Sequence, residues 1–227
     1  RLKLTNRQAV YDSVLAPTNV LVNDYRKLLT RLDGDEQSSK ELLLTRRILL
    51  NRIAFLEYFL QFVNDRNWNK RWRARDSVMA SNIEWLLETL YTDSRVIIVA
   101  HNFHIARSNE KEEVMGEFLK EKYSNEMYSI GFFAGKGSYL GNSGNEQSME
   151  PADTTRLDIK TVISLLPGKV NFLTVPKKES KGMEWLFDKI IVNDTFIDLS
   201  GTNELILSKH FDGLLLFDRI SPAGGDQ

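Results

Sequence analysis

The segment that most constrains the fold is RVIIVAHNFHIA, which covers residues 95–106. Within it, the five apolar residues of Val96–Ala100 follow one another without polar alternation, and four of the five are β-branched. Such a run is typical of a short strand that is buried on both faces in a sheet covered by helices. We therefore predict a buried strand at this position and an α/β fold around it.

Polar residues follow directly at the carboxyl end of this predicted strand, namely His101, Asn102 and His104. In open α/β sheets, ligands bind at the carboxyl ends of the strands. Residues three apart in a turn can point to the same side, and an amide such as that of Asn102 can fix an imidazole tautomer by donating or accepting. A single histidine here would usually be structural, whereas the pair indicates a functional site.

The first part of the chain has a helical pattern. Apolar residues recur at helical spacing over residues 6–29 and 40–63, which predicts two long antiparallel helices, with a break or kink at Pro17. A third helix is predicted over residues 75–91. We predict that residues 1–73 form a helical arm or lid and that residues 74–227 form an α/β domain.

Helices and strands alternate in the rest of the chain, which favours a parallel or mixed sheet flanked by helices. The Gly-rich GKGSYLG of residues 135–141 is predicted to be a turn or flexible loop, and residues 141–153 a mobile loop. The other predicted elements are helices over residues 112–123, 161–166 and 183–187 and strands over residues 127–134, 170–175, 195–199 and 214–217.

Polar side chains interrupt the apolar face of the third helix, and we predict that they bind substrate or brace the site. Arg75 and Asn82 lie on one helical stripe, and Asp76 is next to Arg75. If this helix packs antiparallel to the strand that follows it, its first turn lies beside His101 and His104. Arg75, Asp76 and Asn82 are therefore candidate site residues.

Composition excludes several classes of function. The chain has no cysteine, so it has no disulfide, thiol nucleophile or Cys-ligated metal. A net charge of −1 gives no general affinity for nucleic acid, and the mixed aromatic and basic run around Trp68 and Trp72 is short and flanked by Asp65 and Asp76. No apolar run has the length of a transmembrane helix. We predict a cytoplasmic protein without a nucleic-acid or membrane partner.

Four segments resemble the erythromycin esterase family and occur in the order found in that family. The first two are specific, and the last two would be weak alone. The matching segments are RDSVMASNIEWLL at residues 75–87, RVIIVAHNFHIAR at 95–107, YSIGFFAGKGSY at 128–139 and FDGLLLFDRISPA at 211–223.

The resemblance implies a hydrolase that opens a macrolide lactone, or a related small-molecule ester, by attack of an activated water without an obligatory metal or cofactor. It implies catalytic roles for His104 and His101, together with a Glu and a His from an N-terminal GExxHG-type segment. The chain has no such segment, because its third histidine, His210, lacks that context. Since the first residue is Arg1, we expect the chain to be the C-terminal portion of a longer enzyme.

Other functions remain open from the residues alone. The HxxH pair supplies two imidazoles, and Asp76 or His210 could complete a set of three ligands for a metal-dependent hydrolase. A serine nucleophile is disfavoured, because there is no GxSxG motif. The chain could also be a homologue that binds a ligand without turning it over, which the missing GExxHG segment favours.

Overall fold

The computed structural model describes residues 7–33, 39–65, 68–110, 112–141, 144–193 and 203–222, and only the backbone of residue 7 and of residues 65 and 68–72. The chain forms two compact units, Arg1–Val96 and Ile97–Gln227. The side chains of Trp68 and Trp72 and the strand predicted at 195–199 lie outside the described residues. The predicted division into a helical arm at residues 1–73 and an α/β domain at 74–227 remains a prediction.

The first unit contains three long helices. They are α1 (Arg7–Asp33), α2 (Lys40–Asp65) and α3 (Trp68–Trp85), and α3 continues into a π-helical turn at Leu86–Leu90. Helix α1 runs through Pro17, so the predicted break at this residue is wrong. A proline in a helix interior removes one backbone hydrogen bond, and the packing of α1 against α2 helps to keep the element helical despite this loss.

Helices α1 and α2 form the predicted antiparallel hairpin. Arg26 near the end of α1 forms an ion pair with Glu57 in the second half of α2, at an N–O distance of 2.6 Å. Asp33, at the end of α1, forms an ion pair with Arg46 near the start of α2. Because the later residue of α1 pairs with the earlier residue of α2, the two helices run in opposite directions.

The second unit contains a mixed four-stranded sheet in the order β2-β1-β6-β3. Strand β1 is parallel to β6, and β6 is antiparallel to β3, while β2 is antiparallel to β1. This topology, together with the helical hairpin, confirms the predicted α/β class. The strands are β1 (Ile130–Leu140), β2 (Glu146–Ser148), β3 (Val170–Thr174) and β6 (Gly213–Ile220), with a separate pair β4 (Ile190–Ile191) and β5 (Glu204–Leu205).

One face of the sheet forms the hydrophobic core of this unit. Helix α6 (Ile159–Ser164) packs against β1 and β6, and the unit also contains α4 (Asn102–Ile105), α5 (Met115–Tyr123) and α7 (Leu207–His210). The core side chains are fully removed from water, so burial of apolar area stabilises this face. They include Phe133, Ile159, Ile163, Phe211, Leu214 and Leu216.

The opposite face of the sheet is apolar and open to solvent. Phe132 of β1 and Phe172 of β3 each lie opposite Leu215 of β6, so the three residues form a row across the strands. The exposed fraction is 50% for Phe132, 55% for Phe172 and 55% for Val170. Among the described residues, then, the sheet is covered on one face only.

The segment Val96–Ala100, predicted to be a buried strand, does not pair with any strand of the described sheet and is not buried. The exposed fraction is 91% for Ile97 and 86% for Val99. None of the described residues forms a backbone hydrogen bond with this segment, and no strand is assigned to it. A strand exists only as part of a ladder, so the prediction of a buried strand is wrong for the described chain.

The Gly-rich sequence after residue 134 is also not the predicted turn. Strand β1 continues to Leu140, with Lys136 opposite Arg219 and Gly137 opposite Ile220. Gly137 has a φ of +125°, which favours glycine, and a Cβ at this position would clash with the Ile220 backbone. The predicted mobile loop at 141–153 contains β2, which pairs with the end of β1.

Gly116 of α5 packs against the backbone at the end of α4, where there is no room for a side chain. A Cβ at Gly116 would lie 2.6 Å from the carbonyl carbon and oxygen of Ile105 and closer still to the Ala106 carbonyl oxygen. We therefore expect Gly116→Ala to lower the free energy of unfolding by about 2 kcal/mol or more, because backbone must move. Chemical denaturation measures this loss.

The matched control is Glu121→Ala, which adds an alanine on the exposed side of the same helix. It should change the free energy of unfolding by less than about 0.5 kcal/mol. Equal stability of the two variants would contradict the close packing of α5 against residues 105 and 106.

Candidate active site

The two histidines lie on a single helical turn, α4. His101 is the N-cap residue, with φ −60° and ψ 146°, and its backbone oxygen accepts a hydrogen bond from the His104 N–H at 2.9 Å. The His101 Nδ1 accepts a further hydrogen bond from the backbone N–H of Phe103 at 3.3 Å. The turn therefore has its imidazoles at the N-cap and the third helical position.

Asn102 fastens this turn to the sheet. Its side chain is 5% exposed, its Nδ2 donates to the Phe132 backbone oxygen at 2.6 Å, and its Oδ1 accepts from the Phe132 N–H at 2.8 Å. The amide thus bonds both backbone groups of one residue of β1, as a neighbouring strand would. These two bonds of the Asn102 amide do not involve an imidazole. The hydrogen bond from the Phe103 N–H to Nδ1 is therefore what favours one tautomer of His101.

Apolar packing holds the rest of the turn. Phe103 is buried in the core, and its ring meets the His104 ring edge to face at a centroid distance of 5.3 Å. Ser129, just before β1, donates from its Oγ to the Ile105 backbone oxygen at 2.7 Å. His104 is half-buried, and its contact with the buried Phe103 ring helps to orient its imidazole.

An ion pair, which the sequence did not indicate, braces the chain after α4. Arg107 donates from Nη1 to Asp212 Oδ1 at 2.5 Å and from Nη2 to the Ser208 and Phe211 backbone oxygens. The second oxygen of Asp212 accepts from the Ser129 N–H at 2.9 Å. Arg107 and Asp212 both lie in segments that resemble the family. This resemblance was the only indication in the sequence that they are part of the site.

His101 is accessible to solvent even though one ring edge faces the turn. Partial burial of the ring lowers the pKa of His101, and a charge on the neighbouring His104 lowers it further. Both effects favour the neutral imidazole near pH 7. A neutral ring has one N–H donor and one lone pair, which can serve proton transfer or hydrogen bonding.

His210 has a structural environment. It is 3% exposed, and its Nδ1 lies 2.8 Å from the Ile206 backbone oxygen. A carbonyl oxygen only accepts, so Nδ1 carries a proton. Burial lowers the pKa of His210, although the Ile206 oxygen, Glu110 and Glu117 oppose this effect.

The predicted residues of α3 are bound within the helical unit. Arg75 Nε donates to Oδ1 of the buried Asp76 at 3.0 Å. Asn82 Oδ1 accepts from Arg47 Nε at 2.6 Å, and Arg47 also donates to Ser81 at 2.8 Å. Asn82 thus braces α3 against α2, and a position of these residues beside the histidines remains a prediction.

Metal ligands are not grouped in the described part of the chain. No cluster of three or more His, Asp or Glu residues there could hold a metal ion. Within the described part of the second unit, His101, His104 and His210 are therefore not assembled as the three ligands that the metal-dependent alternative requires.

The erythromycin esterase family model matches residues 8–220 of the chain. The chain belongs to the erythromycin esterase family. The match includes the helical hairpin, in which we had identified no family motif, as well as the histidine turn. A Bacillus subtilis (strain 168) relative named "Putative hydrolase YbfO" is 26% identical to the chain over 163 residues.

Two solved structures share the fold. One is a Bacillus cereus protein (TM-score 0.71, 19% identity, covering 98% of this chain and 55% of that one), and the other is a succinoglycan biosynthesis protein (TM-score 0.61, 19% identity, covering 95% and 61%). The match to the Bacillus subtilis relative spans 66% of this chain and 35% of that protein. The chain thus spans little more than half of the solved relatives it matches.

The membrane prediction can be compared with the helices of the structure. In the described ranges, no helix combines the length and the apolar character that crossing a membrane requires.

The Asn102 amide should be essential for the stability of this site. Asn102→Ala removes a buried side chain and both of its hydrogen bonds to the Phe132 backbone, so we expect the free energy of unfolding to fall by about 2 to 4 kcal/mol. Chemical denaturation measures the change. The control is Asn125→Ala, which removes an exposed amide and should have an effect below about 0.5 kcal/mol; equal effects would contradict the role of Asn102.

Proposed function

We propose that this protein hydrolyses a macrolide lactone or a related small-molecule ester by direct attack of water, without a metal. The observation that carries the proposal is the pair of imidazoles on one rigid turn, anchored to β1 through Asn102. Family membership and the hydrolase name of the Bacillus subtilis relative support a hydrolase. The ester or lactone substrate is inferred from the family alone.

The chemistry requires a proton acceptor for water and donors for the developing oxyanion. In the proposed reaction, His104 takes a proton from the attacking water, the oxygen bonds to the ester carbonyl carbon, and the carbonyl oxygen becomes an oxyanion. The tetrahedral intermediate then collapses and breaks its bond to the alcohol oxygen, which receives the proton that His104 took from water. The products are a carboxylic acid and an alcohol, which remain one molecule when the substrate is a lactone.

The other site residues have supporting roles in this proposal. Asn102 and His101 maintain the geometry of the turn, and Arg75 would bind the substrate or stabilise the oxyanion. Asn82 and Asp76 would brace the helix that carries Arg75, as their contacts with Arg47 and Arg75 suggest. A Glu and a His from a GExxHG-type segment of the whole protein would share the activation of water.

His104→Ala tests the proposed base. In the protein as encoded, we expect kcat/KM for an ester or lactone to fall by about 10²-fold or more, because general base catalysis contributes at least that much. Hydrolysis is measured by titrating the acid produced. Circular dichroism and denaturation verify that the variant folds.

Glu121→Ala is the control, since its side chain is exposed on α5 and should leave turnover unchanged. Unchanged turnover in His104→Ala would exclude His104 as the base. Binding of an ester without hydrolysis by the parent protein would instead favour the non-catalytic ligand-binding alternative.

Chelation separates the two hydrolytic mechanisms. We expect dialysis against EDTA to leave ester turnover within about twofold of its initial value, because in the proposed reaction water is activated by imidazole and not by a Lewis acid. The measurement is the initial rate before and after dialysis, with the metal content determined in both samples. Loss of activity that zinc restores would establish the metal-dependent alternative.

A further inference from the structure

The hydrogen bond between the Phe103 N–H and the His101 Nδ1 fixes the proton of the exposed imidazole. A backbone N–H can only donate, so Nδ1 must present a lone pair to it at 3.3 Å. A neutral imidazole has a single N–H, which must then be on Nε2. The bond is part of the N-cap of α4, so it is built into the backbone conformation of the turn.

We propose that His101 acts as a neutral hydrogen-bond donor, presenting Nε2–H to the carbonyl oxygen of the ester and to the oxyanion that forms from it. This inference rests on the proposed ester hydrolysis and assigns a direct substrate contact to a residue that the proposed reaction above uses only to maintain the geometry of the turn. It also divides the work of the two imidazoles, since a ring whose lone pair is occupied by a backbone N–H is a poor proton acceptor. His104 then remains as the base on this turn.

Protonation of His101 would be unfavourable for a geometric reason. A second proton on Nδ1 would face the Phe103 N–H and replace the hydrogen bond by a contact between two donors. Burial of the ring and the nearby His104 act in the same direction, because both lower the pKa of His101. A neutral imidazole can stabilise an oxyanion through its Nε2–H, because this hydrogen-bond donor is already in place when the oxyanion forms.

His210 provides a comparison within the same unit. Its Nδ1 faces the Ile206 backbone oxygen, so the proton lies on Nδ1 and the lone pair on Nε2. It is buried, whereas His101 is accessible. The two neutral histidines are thus opposite tautomers, and only the accessible one presents a donor to the surface.

The tautomer is tested first, by long-range ¹H–¹⁵N correlation spectra of the protein as encoded, labelled at histidine. Signals are assigned to His101 by their loss in His101→Asn. We expect an unprotonated Nδ1 and a protonated Nε2, with a pKa below the ordinary range of about 6.5. A proton on Nδ1 overturns the inference, whatever the activity of the protein.

The role as a donor is tested by His101→Asn and His101→Asp. Both side chains are good N-caps, so both should preserve α4. Asn retains an N–H donor, whereas Asp offers only oxygen acceptors and a negative charge. We expect His101→Asp to lower kcat by about 10²–10³-fold, as the loss of an oxyanion donor does, and His101→Asn to remain within about tenfold of the parent.

The opposite order, with Asp at least as active as Asn, would overturn the inference, because a proton acceptor would then be what the reaction needs. Denaturation of both variants establishes that α4 remains capped. If the parent hydrolyses no ester, the proposed function fails, and the spectra alone then decide whether His101 is the Nε2–H tautomer.

Discussion

The site depends on two hydrogen bonds between the Asn102 amide and the backbone of Phe132. Neighbouring strands normally satisfy such edge groups, and here one buried side chain does so. Because Asn102 lies between the two histidines in sequence, its bonds to Phe132 hold the backbone that carries both imidazoles in place against β1. The Arg107–Asp212 ion pair and the Ser129 hydroxyl then hold the chain that leaves the turn.

Much of the architecture was predictable because apolar periodicity decides the type of long elements. The helical hairpin and the strands β3 and β6 follow directly from such patterns. The placement of His101 and His104 on one turn was also predictable, since their spacing matches a helical turn. In each case, local sequence and tertiary structure favour the same conformation.

Other features depend on contacts that local sequence does not encode. Residues 135–140 contain two glycines yet extend β1, because pairing with β6 and β2 outweighs their low strand propensity. The run at Val96–Ala100 has the composition of a strand, but composition does not supply a pairing partner. The His101 tautomer and the Arg107–Asp212 pair likewise depend on particular distances between atoms, which only coordinates reveal.

The exposed apolar segment before His101 is a place where a contact with another surface would also order the backbone of the histidine turn. Covering Ile97 and Val99 would gain free energy in proportion to the apolar area removed from water. The same contact would restrict the backbone that leads into the N-cap of α4. By thermodynamic reciprocity, any contact that orders this segment and thereby strengthens ligand binding at His101 is itself strengthened by the ligand to the same degree. Ligand binding at the histidine turn and the covering of the exposed segment before it are thus two sides of one equilibrium.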